Sequence, residues 1–321
     1  MQRPEVLLIG PSRPVLAKGL TDFTVHSLTG VTNRDALLAS VAHVRAMAVS
    51  APVLPIDHAL LARLPKLEII SSFGVGYDHI DALAAAERGI VVTHTPDVLT
   101  EEVADTAIGL LICTVRELPQ GERHVRAGKW LKGNYPLSRA TLRNRTVGLV
   151  GIGRIGLAVA RRLEPFGVPI VYHTRQPRPE LAYRHYPQII DMARAVDTLI
   201  VIVPGGPATR NMIDATVLEA LGPDGILINV ARGSVVDEDA LIAALRARKI
   251  MAAGLDVFVE EPEVPEALLT MDNVVLLPHL GSASVFTREK MDQLLVDNLR
   301  AWAKRQPPLT PVPETPWRSW N

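Results

Sequence analysis

Cysteine is nearly absent from this chain: Cys113 stands alone among 321 residues. An internal disulfide is excluded, and the composition fits a reducing compartment. Cys113 sits in the apolar stretch AIGLLICTV, which marks it as an inert core thiol rather than a nucleophile. Excess charge is absent too. Lysine plus arginine and aspartate plus glutamate number 34 each, for a formal net charge of zero. A nucleic-acid or membrane-surface partner calls for a basic excess that this chain lacks. No run approaches the ~18 apolar residues of a membrane span. The apolar part of MQRPEVLLIG is too short for a signal-peptide core. A cytoplasmic protein is expected, with neither nucleic acid, membrane nor metal among its partners. No internal repeat is visible.

What the chain does have is apolar sequence in a regular arrangement. Hydrophobic residues make up 48%, enough for a sizeable core, and the length suits one large domain or two ordinary ones. Strand-like runs alternate with helix-like segments, a pattern that predicts parallel sheets covered by helices. Up to about residue 98 the candidate strands are EVLLIG, RAMAVSA, LEIISSF and IVVTHT. A long helix is expected from about 101 to 118, with Thr100 as its cap and Glu101 and Glu102 at its positive end. A second series follows: TVGLVG, VPIVYHT, DTLIVIVP, GILINVA, AAGLDVF and NVVLLPH. The last helix is expected over 287–305, and the proline-rich tail PPLTPVPETPW cannot be regular helix. The reading is α/β: two doubly wound parallel-sheet domains, Rossmann- and flavodoxin-like, with the active site in the cleft between them. The expected domains are 1–99 with 287–321, and 100–286.

GIGRIG, residues 151–156, follows a strand and opens a helix. That is the context a dinucleotide fingerprint requires. Gly151 makes the tight turn, Gly153 lets backbone approach a pyrophosphate, and Gly156 lets helix and strand pack closely. Ile155, Ala158, Val159, Leu163 and Phe166 are expected on one face of that helix. The next strand ends in VYHTRQPR, so His173, Thr174 and Arg175 stand where an NAD site usually has an acid. Thr174 and Arg175, with Arg178 nearby, suit a 2′-phosphate. NADPH is therefore expected over NADH.

Three polar residues lie just past three apolar runs: Arg232 after GILINVA, Glu261 after AAGLDVFVE and His279 after NVVLLP. Parallel strands of one sheet end on one edge, so these groups should converge. An imidazole can protonate a developing alkoxide. A carboxylate beside it holds the ring and favours the imidazolium. A guanidinium can grip a substrate carboxylate and polarise the neighbouring ketone. The set describes reduction of a 2-oxo acid to a 2-hydroxy acid. A second anion site is expected in SSFGVGYDHID, residues 71–81, where Val75 and Gly76 are candidate backbone N–H donors. Asp78 and His79 of that segment read as structural.

These segments, with TPDVLTEEVADTAIGL, LINVARGSVVDEDAL, AAGLDVFVEEP and NVVLLPHLGSAS, resemble the D-isomer-specific 2-hydroxyacid dehydrogenase family over essentially the whole chain. The resemblance implies that Arg232 binds substrate, Glu261 pairs with the acid, and His279 gives the proton. Glu261 is preferred to Glu260 because it directly precedes Pro262. It implies backbone contacts from Arg154 and Ile155 to the pyrophosphate. A cofactor lining of Val203, Pro204, Thr209, Val230, Ala231, Asp256 and Gly281 is implied too, with Thr106 on the nicotinamide side. It further implies NADPH-dependent reduction of glyoxylate or hydroxypyruvate, and a homodimer through the nucleotide domain. Residues 126–137 would form part of that contact, and Trp130 would be an interface aromatic or reach the neighbouring site. Larger 2-oxo acids, of the hydroxyphenylpyruvate or 2-ketogluconate type, are the alternative. A non-catalytic dinucleotide sensor is the more distant one.

Overall fold

The computed structural model describes residues 3–320, which form two compact units. Unit 1 holds the chain up to Leu99 and again from Ser284; unit 2 runs from Thr100 to Ala283. The second crossing falls slightly before the expected position, because Ser284 caps the last helix by accepting the Thr287 N–H.

Unit 1 is built on five parallel strands: β1 (Glu5–Ile9), β2 (Thr24–Ser27), β3 (Ala46–Val49), β4 (Ile69–Ser72) and β5 (Val91–Thr93). Their order across the sheet is β2-β1-β3-β4-β5. Side chains alternate between faces with period two. Leu7, Ile9, Met47, Val49, Ile70 and Val92 join one core cluster, together with residues of α2 (Arg34–Ser40), α3 (His58–Ala62) and α4 (Ala82–Glu87). The opposite face is covered by α1 (Pro14–Gly19) and the final helix, α12 (Val285–Ala303). The Ser71 hydroxyl donates to the Leu295 carbonyl at 3.0 Å, and a side chain at Gly19 would collide with Val296. Met291, Leu295, Asn298, Leu299 and Trp302 are the buried stripe of α12, as their helical spacing predicts.

The tail after α12 is irregular but not idle. Thr93 pairs with Pro311 in an antiparallel bridge. The Val312 N–H donates to the Val92 carbonyl at 2.9 Å, and the Val92 N–H to Thr315 Oγ1 at 2.8 Å. The outer edge of β5 is thereby covered.

Unit 2 carries seven parallel strands: β6 (Val147–Val150), β7 (Ile170–His173), β8 (Arg184–His185), β9 (Thr198–Val201), β10 (Ile226–Asn229), β11 (Ala252–Leu255) and β12 (Val274–Leu276). Their order is β12-β11-β10-β9-β6-β7-β8. The sequence of strands reverses between β6 and β9, the switch point beyond which dinucleotides sit in such sheets. Ile226 and Ile228 face a layer containing α5 (Thr100–Arg116) and α7 (Arg154–Leu163). Leu227 faces the other layer, formed by α8 (Ile189–Ala195), α9 (Ala215–Leu221), α10 (Glu238–Arg246) and α11 (Glu266–Leu269). Helix α6 (Leu118–Arg126) follows α5 directly and buries none of its residues. At Gly254 a Cβ would lie 2.5 Å from Thr114 Oγ1, so α5 packs on β11 only because that residue is glycine.

Three expectations need correction. Phe166 is not on the buried face of α7: the helix ends at Leu163, Pro165 turns the chain into a short 3-10 segment, and Phe166 is 45% exposed. Helix α5 starts at Thr100 itself and stops at Arg116. The edge strands β2 and β8 carry no apolar run and were not expected.

Candidate active site

The loop from β6 to α7 is shaped by its three glycines. Gly151 has φ +98°, and a Cβ there would meet Ile202 O at 2.7 Å and Val203 Cγ1 at 2.9 Å. A Cβ at Gly156 would meet Gly151 O at 2.5 Å. Gly153 caps α7 without a side chain, and nothing lies within 4 Å of where its Cβ would project. The first turn of the helix, Arg154 and Ile155 included, therefore presents its positive end to open space. A pyrophosphate fits such a cradle. Next to it, Thr209 Oγ1 donates to the Pro204 carbonyl at 2.7 Å and closes the turn after β9.

Beyond β7 the His173 ring is fixed by Nδ1 at 2.9 Å from the Tyr186 carbonyl. The Thr174 hydroxyl donates to the Gln176 carbonyl, and the Thr174 carbonyl accepts from the His185 ring at 2.9 Å. Arg178 is committed: Nε donates to Glu180 at 2.7 Å and Nη1 to the Ile152 carbonyl at 2.9 Å. It ties this loop to the glycine loop. Arg175 is exposed and pairs with no other described residue, so its guanidinium is the group open to an anion.

The three strand-end residues do meet. His279 Nδ1 lies 2.7 Å from Glu261 Oε2, and the other oxygen of Glu261 accepts the Phe258 N–H at 3.1 Å. Partial burial works against the Glu261 carboxylate. The hydrogen bond and charge of His279, the Phe258 N–H and the Arg232 guanidinium outweigh it and hold its pKa below the ordinary carboxylate range. Arg232 is brought in by Gly233, whose missing side chain lets the turn lie directly on the Phe258 backbone. The buried Asn229 folds that turn. Its Oδ1 accepts the Ala231 N–H at 3.0 Å, and its amide donates to the Arg232 carbonyl at 3.0 Å, with Val230 between.

His279 has a left-handed φ of +54°, uncommon for a residue with a side chain. Asp256, 1% exposed, holds it there. Its carbonyl accepts the His279 N–H at 2.9 Å, and its carboxylate accepts the N–H of Leu280 at 2.6 Å and of Gly281 at 2.8 Å. Burial pushes the Asp256 carboxyl up, against the pull of those two N–H groups. Sequence reading expected Asp256 and Gly281 along a cofactor; their grip on the histidine turn has no sequence signal beyond an acid after a strand. Asn229 was missed for the same reason. Thr106 is half-buried on α5, one turn beyond Val103, which lies near Gly281.

Val75 and Gly76 belong to unit 1, just past the end of β4. Gly74 has φ +111°, a conformation that favours glycine. The Gly74 N–H donates to Thr95 Oγ1 at 2.9 Å. Neither the Val75 nor the Gly76 N–H meets an acceptor among the described residues. A hollow of about 810 Å³ in unit 2 lies elsewhere, at the start of β11 and β12 beside α6. His279 stands beyond the opposite end of those strands, so this hollow is not the reaction site. No helix among the described residues is long and apolar enough to cross a membrane.

Residues 108–281 match the model of the D-isomer specific 2-hydroxyacid dehydrogenase NAD binding domain. The chain is 48% identical over 256 residues to glyoxylate/hydroxypyruvate reductase A HPR2 of Arabidopsis thaliana, covering 80% of this chain and 82% of that protein. It is 40% identical to 2-ketogluconate reductase of Gluconobacter oxydans, over 97% and 99% of the two chains. Among solved structures, an NADPH-dependent glyoxylate/hydroxypyruvate reductase from Sinorhizobium meliloti, in complex with NADP and malonate, superposes with a TM-score of 0.94. It is 54% identical, with 100% of both chains covered. The cradle after β6 and the His279–Glu261 pair thus stand in a chain that belongs to the D-isomer specific 2-hydroxyacid dehydrogenases, NAD(P)-dependent oxidoreductases acting on a CH–OH group.

Proposed function

We propose that this protein reduces a small 2-oxo acid, glyoxylate or hydroxypyruvate, to the D-2-hydroxy acid with NADPH. The observation that carries the reading is the 2.7 Å His279–Glu261 pair beside Arg232, in the same unit as the open glycine cradle. NADPH, when bound, supplies the hydride. His279 uses Nδ1 on Glu261, which leaves Nε2 to donate a proton to the ketone oxygen as charge develops there. Glu261 fixes the ring through Nδ1 and, with its own pKa lowered, sets a carboxylate charge against it. Arg232 grips the substrate carboxylate and polarises the ketone. The N–H groups of Val75 and Gly76, in unit 1, are donors for a substrate carboxylate.

Arg154 and Ile155 hold the pyrophosphate through backbone N–H groups. Val203, Pro204, Thr209, Val230, Ala231 and Gly281 line the cofactor, with Thr106 on the nicotinamide side. Arg175 holds the 2′-phosphate, on a loop braced by His173, Thr174 and Arg178. The absence of an acid at that strand end and the NADP bound by the Sinorhizobium meliloti relative support this assignment.

The protein acts as a cytoplasmic homodimer in this reading. Trp130, Leu131 and Leu137, in the segment after α6, are 64%, 94% and 95% exposed, and exposed apolar side chains of that kind suit a second copy. The likeness to 2-ketogluconate reductase along the whole chain makes larger acids the competing reading. A panel of 2-oxo acids assayed with NADPH and NADH decides. NADPH oxidation by glyoxylate or hydroxypyruvate supports the proposal, a preference for sugar acids replaces the substrate, and silence throughout overturns it.

A further inference from the structure

The chain returns past the carboxylate loop of unit 1 along residues 94 and 95, and both residues engage that loop through its carbonyls. The Thr95 N–H donates to the Gly74 carbonyl at 2.9 Å. His94 Nδ1 lies 2.9 Å from the Val75 carbonyl. A carbonyl can only accept, so Nδ1 carries the proton. A trans peptide is planar, and its C=O and N–H point in opposite directions. Holding the Gly74 carbonyl therefore aims the Val75 N–H away from residues 94–95. Holding the Val75 carbonyl aims the Gly76 N–H the same way. Two successive peptides are turned so that both donors face outward, and neither meets an acceptor among the described residues.

We propose that His94 is a positioning residue for substrate binding: its imidazole holds the Val75–Gly76 peptide so that the Gly76 N–H is presented to the substrate carboxylate. The inference rests on the reading of Val75 and Gly76 as the carboxylate clamp. Thr95 holds the Gly74 peptide on both sides, its N–H on the Gly74 carbonyl and its Oγ1 on the Gly74 N–H; His94 alone holds the Val75 carbonyl, through its side chain. The surroundings fix that side chain. The His94 N–H donates to the Thr310 carbonyl at 3.2 Å, and Thr310 Oγ1 donates to the His94 carbonyl at 2.6 Å. The Tyr77 ring meets the imidazole edge-on at 5.4 Å and 89°. The Tyr77 hydroxyl donates to Glu314 at 2.9 Å. Burial first, and Glu314 second, push that phenol up to about 12, so it remains a donor through the neutral range. The tail thus braces the histidine from two sides.

The test is steady-state kinetics with glyoxylate and NADPH on His94→Leu and His94→Asn, with malonate as a competing dicarboxylate and NADPH affinity measured by fluorescence. Leucine fills space without a donor. Asparagine places an amide nitrogen where Nδ1 sits. We expect His94→Leu to raise the KM for glyoxylate and the Ki of malonate about tenfold, the scale of a hydrogen bond serving a charged ligand. Its kcat and NADPH affinity should hold, because the lost contact serves ground state and transition state alike. His94→Asn should restore most of the binding. Unchanged KM and Ki in His94→Leu, a loss of NADPH affinity along with them, or no rescue by asparagine overturns the proposal. Gly76→Pro, which deletes the N–H itself and is checked for retained NADPH binding, separates the two levels. If it leaves Ki unchanged, the clamp reading falls. If it raises Ki and His94→Leu does not, only the role of His94 falls.

Discussion

His279→Ala removes the proposed proton donor and leaves the cradle of unit 2 untouched. Turnover should drop about 10²–10⁴-fold, with NADPH binding by fluorescence titration essentially unchanged; retained turnover removes His279 as the acid. Glu261→Gln is the subtler change. A neutral amide keeps an oxygen for Nδ1 but sets no charge against the ring, so kcat should fall while NADPH binding by fluorescence titration is retained; an unchanged kcat would remove Glu261 from the site. The stabilising contribution of Glu261 depends on pH. Its pKa is lowered in the folded state, so the contribution is complete above the ordinary carboxylate range and lost as pH falls through the lowered value. Arg175→Ala should raise the KM for NADPH about 10- to 100-fold and leave NADH nearly unaffected. Equal losses with both cofactors would reassign the 2′-phosphate.

At the scale of elements, the turn between β6 and α7 is the least forgiving. Gly156→Ala sets a methyl 2.5 Å from the Gly151 carbonyl, an overpacking worth about 1–3 kcal/mol. A lower thermal midpoint together with weakened NADPH binding is expected; normal NADPH affinity would dissociate this turn from the cofactor. That turn was legible because glycines at fixed spacing after an apolar run have few other uses. The convergence of Arg232, Glu261 and His279 was legible for a different reason: three parallel strands share one edge. What escaped the sequence were contacts made by main chain. The Asp256 carboxylate on the N–H groups of Leu280 and Gly281, and His94 on the Val75 carbonyl, leave no periodicity to read. Strand β2 escaped because its residues are mostly exposed, and Phe166 misled because Pro165 ends a helix that its apolar spacing continues.

The molecule as a whole has two units joined twice by the chain, and its exposed apolar side chains include a group just after α6. If these mark the contact between copies, Leu131→Asp with Leu137→Asp should convert a dimer into a monomer in sedimentation velocity. A parent protein that sediments as a monomer would end the proposal. In unit 1, the tail along β5 has a consequence for handling the protein. An uncovered edge strand is a template for pairing with another sheet. Residues 311–315 occupy that template through the Val92 main chain. Shortening the chain to end before Thr310 would bare a flat, apolar margin, and the shortened protein should precipitate under conditions where the full chain stays clear. An affinity tag is better carried at the other end of the polypeptide.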